Sequence, residues 1–184
     1  PYYNKATQNG LIKHFSSIAR AIDIPVILYN IPGRTGVNIE PDTIAYLVNN
    51  VENIVGVKEA SGNFSNPIKT LRLCPQIDMY SGNDDQVVAL MSIGAKGVIS
   101  VLSNVAPRQT HEMCKAALDG DIFKARKMQI EALDVIINLF TEVNPIPVKA
   151  AMNLQGKNVG PLRLPLTQME KAHEEVLAKA MKEY

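Results

Sequence analysis

Excess charge of either sign is missing from this sequence. Nineteen Lys and Arg stand against eighteen Asp and Glu, a net charge of +1 spread along 184 residues. Nothing in that balance selects nucleic acid or an anionic membrane surface as a partner. No apolar run reaches the length that spans a bilayer, and no stretch near Pro1 has the character of a secretory signal. Cysteine is scarce. Cys74 and Cys114 lack metal-ligand spacing and read as two unpaired thiols, which fits a reducing cytoplasm. His14, His111 and His173 are scattered and read as helix residues, so no metal centre is expected. No G-x-G-x-x-G follows a strand-like run, which removes the main reason to expect a dinucleotide fold.

What is present is a globular composition, 46% hydrophobic, in a regular strand–helix alternation. Thr7 is placed to cap a helix through QNGLIKHFSSIARAI, with Leu11, Phe15, Ile18, Ala19 and Ile22 as its buried face. IPVILYN, residues 24–30, reads as a strand with a proline at its start, followed by a loop, IPGRTGVNIEP. A helix (PDTIAYLVNN), a strand (NIVGVK), a helix (NPIKTLRLC), a strand (IDMYSGND), a helix (DQVVALMSIGA) and a strand (KGVISVLSN) follow. Near-continuous apolar strands separated by helices call for a parallel sheet, since each crossover must lie over a sheet face. Beyond about residue 107 only helical patterns remain, in PRQTHEMCKAALDG, DIFKARKMQIEALDVIINLFTEV, PIPVKAAMNLQG and LTQMEKAHEEVLAKAMKEY. The expectation is an α/β body over 1–106 and a helical part over 107–184. Four βα units suit either half of a (β/α)8 barrel or part of a doubly wound sheet. The opening PYYNKATQNG reads as a loop entered from an earlier element, so residues are expected to precede Pro1 in the parent protein.

Lys58 ends the apolar run NIVGVK, at the strand end where α/β folds carry their sites. Alternation puts Ile54, Gly56 and Lys58 on one face, with Gly56 removing bulk one step below the lysine. A lysine among apolar neighbours loses hydration of its charged form, and a neutral amine able to attack a carbonyl carbon becomes available. The alternative is a lysine whose stem lies in the core and whose head reaches water. Tyr29 ends the preceding strand, about 5 Å away if the two strands pair, close enough for a phenol to relay protons to an imine. Its alternative is a strand-end aromatic with a solvated hydroxyl. Arg34 follows a Pro-Gly turn beyond the same strand end, where its planar fork suits a carboxylate or a surface acid. Together the three suggest an enzyme that joins or splits a keto acid.

The segments PYYNKATQNGL, LYNIPGRTG, NIVGVKEASGN, SGND, GAKGVISVLSN and NPIPVKAAM occur in the order seen in the dihydrodipicolinate synthase family, and the resemblance covers essentially the whole chain. That family belongs to the pyruvate-dependent class I aldolases, with N-acetylneuraminate lyase as a sister. The resemblance implies a (β/α)8 barrel with a C-terminal helical domain, of which these residues match the second half. It implies condensation of pyruvate with aspartate semialdehyde in the diaminopimelate and lysine pathway, in the cytoplasm, in a homo-oligomer (dimer or tetramer), with no cofactor beyond an imine on Lys58. By motif, Tyr29 relays protons, and Tyr3 reaches across a dimer interface into a partner's site. Arg34 binds the semialdehyde carboxylate, Gly82 and Asn83 line the pocket, Ile99 offers its carbonyl, and Tyr2 matches a lysine-inhibitor site. Arg34 favours the synthase over the sialic acid lyase. The family's Gly-Thr-Thr segment, which binds the pyruvate carboxylate, has no counterpart in these residues. A non-catalytic half-barrel or interaction module is therefore the alternative from another class.

Overall fold

A computed structural model describes residues 1–184, which divide into two compact units, 1–99 and 100–184. The first unit opens with α1 (Gln8–Ala19), whose first turn is closed by Thr7, its Oγ1 accepting from Gly10 N at 3.2 Å. The expected buried face of α1 is narrower than the periodicity suggests. Leu11 and Ala19 are fully buried, whereas Ile18, within the helix, is exposed, as is Ile22, which lies beyond the helix end at Ala19.

Four strands follow, β1 (Val26–Asn30), β2 (Ile54–Glu59), β3 (Asp78–Ser81) and β4 (Gly97–Val98), all parallel and in chain order across one sheet. Between them run α2 (Pro32–Thr35), α3 (Pro41–Asn50), α4 (Ser65–Leu73) and α5 (Val87–Met91). Leu28, Val57 and Met79 point to one face and are essentially inaccessible, and this is the face against which α3 and α5 pack. Ile27 and Tyr29 point to the other face and are about two-fifths exposed, at 43% and 42%.

Two sequence expectations change here. The loop after β1 contains the helical turn α2, started by Pro32 at its first position and closed by Gly36 in the left-handed region at φ 72°. The fourth strand is much shorter than KGVISVLSN. After one further sheet hydrogen bond, Ile99 N to Ser81 O at 2.9 Å, the chain turns. Ser103 N donates to Ser100 Oγ (2.8 Å) and Ser103 Oγ donates to Ser100 O (3.2 Å), so local side-chain bonds replace the ladder.

The second unit holds a 3₁₀ turn at Leu102–Asn104 and then α6 (Pro107–Leu118), α7 (Ile122–Glu131), α8 (Leu133–Asn138), α9 (Ile146–Leu154) and α10 (Lys171–Glu183). Its core gathers Leu102, Ala132, Val135, Leu139, Ala151 and Leu177. The single helix expected from DIFKARKMQIEALDVIINLFTEV is divided at Ala132, where ψ relaxes to −11°. Hydrogen bonds Ala132 N to Met128 O (3.1 Å) and Ile136 N to Ala132 O (3.0 Å) run through that point, so it is a local loosening within one path rather than a stop. No helix of either unit is long and apolar enough to cross a membrane.

Candidate active site

The pairing of β1 with β2 brings the two leading residues together. Tyr29 lies opposite Lys58, and Lys58 lies opposite Tyr80 on β3. In-register parallel neighbours share a face, so the lysine stands in a row between two tyrosines. Lys58 Nζ rests over the Tyr29 ring, 4.1 Å from its centroid, a distance at which an ammonium is attracted by the ring face.

That juxtaposition depends on an irregularity in the ladder. Val26 pairs with Ile54 but Ile27 pairs with Gly56, so one residue of β2 is skipped. An unbroken register from Val26 would set Tyr29 beside Val57 and leave Lys58 on the opposite face. The skip transfers the whole end of β2 by one position, which is what a bulge does to side-chain direction.

Lys58 itself is half-buried, not enclosed, because its face of the sheet is the partly open one. Gly56, one step below, does not leave a space for it. A Cβ at Gly56 would meet the Asp78 carbonyl oxygen at 2.6 Å and Ile27 Cγ1 at 3.4 Å, so the glycine is required by the close approach of β3. Gly82 is similarly confined. A Cβ there would fall 2.6 Å from Ala60 Cβ, 3.1 Å from Glu59 O and 3.2 Å from Lys58 Cε. The absent side chain at Gly82 is thus the room in which the end of the lysine lies.

The remaining sequence-derived residues are placed unequally. Arg34 sits on α2, exposed, a few residues past Tyr29. Asn83 leads into a 3₁₀ turn, with its Nδ2 donating to Gln86 Oε1 at 3.3 Å and its N donating to Ser81 Oγ at 3.3 Å. Ile99 follows β4, 42% exposed, two residues past the Gly97 that pairs with Tyr80. Tyr2 and Tyr3 stand on the segment before α1, 77% and 84% exposed, with Tyr3 at φ 72°.

Behind the Tyr29–Lys58 pair lies a polar cluster that sequence reasoning passed over. Asn30 and Glu59, the next residues on each strand, pair in register on the covered face at 0% and 4% exposure. Asn30 Nδ2 donates to Glu59 Oε2 (3.0 Å) and Oε1 (3.3 Å) and to Asn38 Oδ1 (2.8 Å), and Ser61 N donates to Glu59 Oε1 (2.6 Å). Asn30 Oδ1 accepts from Ile39 N at 3.0 Å. The available signal was the alternation itself, which sets an amide and a carboxylate on the face of Leu28 and Val57. Tyr80 was passed over for a simpler reason, since a half-buried strand tyrosine is ordinary.

Comparison with known proteins adds to this geometry. The dihydrodipicolinate synthetase family matches residues 1–184. The 4-hydroxy-tetrahydrodipicolinate synthase of Lachnoclostridium phytofermentans is 57% identical over 183 residues, covering 99% of this chain and 62% of that protein. The synthase of Caldicellulosiruptor bescii is 52% identical over 184 residues, covering 100% of this chain and 62% of that protein. The chain therefore spans somewhat under two thirds of the length of the curated relatives it matches. Among solved structures, dihydrodipicolinate synthase from Aquifex aeolicus superposes with a TM-score of 0.97 at 44% identity, over 100% of this chain and 63% of that one. The Acinetobacter baumannii enzyme, solved in complex with pyruvate, superposes with a TM-score of 0.93 at 40% identity, over 100% of this chain and 63% of that one.

Proposed function

The chain belongs to the dihydrodipicolinate synthetase family, and from that premise we propose that it carries the imine-forming part of a synthase that condenses pyruvate with aspartate semialdehyde. The observation that carries the reading is Lys58 at the carboxyl end of β2, in register with Tyr29 and in contact with its ring. The neutral Lys58 amine adds to the C2 carbonyl of pyruvate, giving a carbinolamine. Loss of water from that adduct gives the imine, and Tyr29 is the nearby hydroxyl suited to move the protons of both steps. Removal of a C3 proton then yields an enamine, the carbon nucleophile for the aldehyde. The imine supplies the electron sink within this reading, with no metal needed.

Arg34, on the turn beyond Tyr29, is proposed to bind the aldehyde's carboxylate through its planar fork. Gly82 and Asn83 line the pocket, and Ile99 contributes its backbone carbonyl. Tyr3, almost fully exposed, suits a residue that serves a partner subunit's site in a homo-oligomer, and Tyr2 suits an inhibitor site beside it. Cytoplasmic operation completes the proposal.

Borohydride trapping tests it. The chain is incubated with pyruvate, reduced, and analysed by intact mass and peptide mapping. One pyruvate adduct on Lys58 is expected, absent from Lys58→Ala. An adduct that persists in Lys58→Ala at a defined lysine would overturn the assignment. No adduct on the chain would favour the non-catalytic half-barrel, a reading that the partly open face of Ile27 and Tyr29 also suits.

A further inference from the structure

Glu59 is a carboxylate buried without a cation. Its oxygens accept from the Asn30 amide and the Ser61 N–H, its register partners on that face are Asn30 and Ser81, both fully buried, and Leu28, Val57 and Met79 form the next row of the same face. Burying a carboxylate in this way costs desolvation that an apolar residue would avoid. Stability alone therefore does not account for an acid at this position.

The pairing partners suggest what does. The apolar runs of β1 and β2, VIL and IVGV, distinguish poorly between alternative registers, and the ladder already contains one skipped residue. The Asn30–Glu59 pair is specific where those runs are not. Sliding β1 by one residue would set Asn30 against Lys58 or Ala60 and leave the buried carboxylate with Ser61 N but without the Asn30 amide. The same Asn30 reaches the far end of the segment that carries Arg34, through Ile39 N (3.0 Å) and Asn38 Oδ1 (2.8 Å).

We infer that Glu59 and Asn30 are positioning residues, which hold Tyr29 opposite Lys58 and anchor the Arg34 segment to the same strand end. For catalysis this rests on the reading of Lys58 as the imine-forming lysine. For geometry it does not, because the position of the Tyr29 ring is measurable without any reaction.

The pair makes a specific demand. Both Glu59 oxygens accept, one from Asn30 and Ser61 and the other from Asn30, so a glutamine at 59 must turn its NH₂ towards one of those donors. Exchanging roles restores the contact between the two strands. In Asn30→Asp/Glu59→Gln the new amide donates to the new carboxylate, the carboxylate still accepts from Ile39 N, and Asn38, whose Oδ1 took the Asn30 amide, turns its own amide round to donate there.

Two readouts test the inference, both made well below the melting temperature of each variant. The first is the upfield ring-current shift of the Lys58 Cε protons, which follows from the amine lying over the Tyr29 ring. The second is the pyruvate-trapping rate constant on Lys58, with its half-saturating pyruvate concentration. Glu59→Gln is expected to lose most of the ring-current shift and to slow trapping by about tenfold at unchanged half-saturation, the scale of a modest misplacement of reacting groups. The double exchange is expected to recover both. A folded Glu59→Gln that keeps the full shift refutes the positioning role, as does a double variant no better than the single one. If the unsubstituted chain forms no Lys58 adduct, the functional reading fails, and the ring-current comparison alone still decides whether Glu59 and Asn30 position Tyr29.

Discussion

Gly82→Ala concentrates the physics of the site in one methyl group. The new Cβ would lie 2.6 Å from Ala60 Cβ, against roughly 3.5–4.0 Å for an ordinary carbon contact. Retreat is restricted, since Gly82 N donates to Glu59 O at 2.7 Å. Gly82 is not among the residues at positive φ, so the cost is one of packing alone. Overpacking of this kind costs about 1–3 kcal/mol. Near the middle of that range, about 2 kcal/mol lowers the folding constant roughly thirtyfold. Urea unfolding followed by far-ultraviolet circular dichroism suits a protein without tryptophan. A second consequence is chemical, because the same methyl group would lie 3.2 Å from Lys58 Cε and should displace the amine, slowing borohydride trapping. The two effects separate in Ala60→Gly/Gly82→Ala. Deleting the Ala60 methyl removes the worst overlap at a cost of about 0.5–1 kcal/mol in chain entropy, leaving a favourable coupling of about 1–2 kcal/mol between the sites. Trapping should stay slow in the double variant, since the Lys58 contact remains. A Gly82→Ala chain within about 0.5 kcal/mol of the unsubstituted one would refute the argument, as would additive effects of the two substitutions.

Two further predictions concern other regions. Glu142 Oε1 lies 2.8 Å from His173 Nδ1 and accepts from Glu170 N at 2.9 Å, so it secures the start of α10. These hydrogen bonds, that of His173 first, hold its carboxyl below the usual glutamate value. A folded value below the unfolded one gives stability that is present above the unfolded value and lost as pH falls through the folded one. Glu142→Gln should melt roughly a few degrees below the unsubstituted chain at neutral pH, with the gap closing below about pH 4.3. A gap that does not change with pH would refute this account. Cys74 is buried, its Sγ donates to Thr70 O at 3.2 Å, and burial pushes its thiol up, whereas Cys114 is half-buried. Maleimide should modify Cys114 in the native chain and Cys74 only on unfolding, as peptide mapping would reveal. Equal native labelling of the two thiols would contradict it.

Much of the first unit was legible because its signals are local. Thr7 capped the helix it was expected to cap, and the four strands appeared in order, because a cap and a short apolar run between turn residues are properties of neighbouring positions. The place of Lys58 near the end of β2 was legible because the apolar run stops at it. Burial on α1 was misjudged at Ile18 and Ile22, since periodicity identifies an apolar stripe without saying how much of it is covered or where the helix stops. The fourth strand was overextended because Ser100 and Ser103 look compatible with a strand until their side chains bond to the turn.

The limits of local reading are sharpest at Tyr29. Sequence alone determined that a tyrosine and a lysine would each lie near the end of a strand of an α/β unit, because alternation and apolar run length depend only on adjacent residues. It could not determine that they share a face. That was decided by Val55, the residue of β2 skipped where the register breaks between Val26 and Ile27, and by the buried Asn30–Glu59 pair beside it. Register is a relation between segments about thirty positions apart, and with a side-chain period of two, one residue of slip reverses every contact.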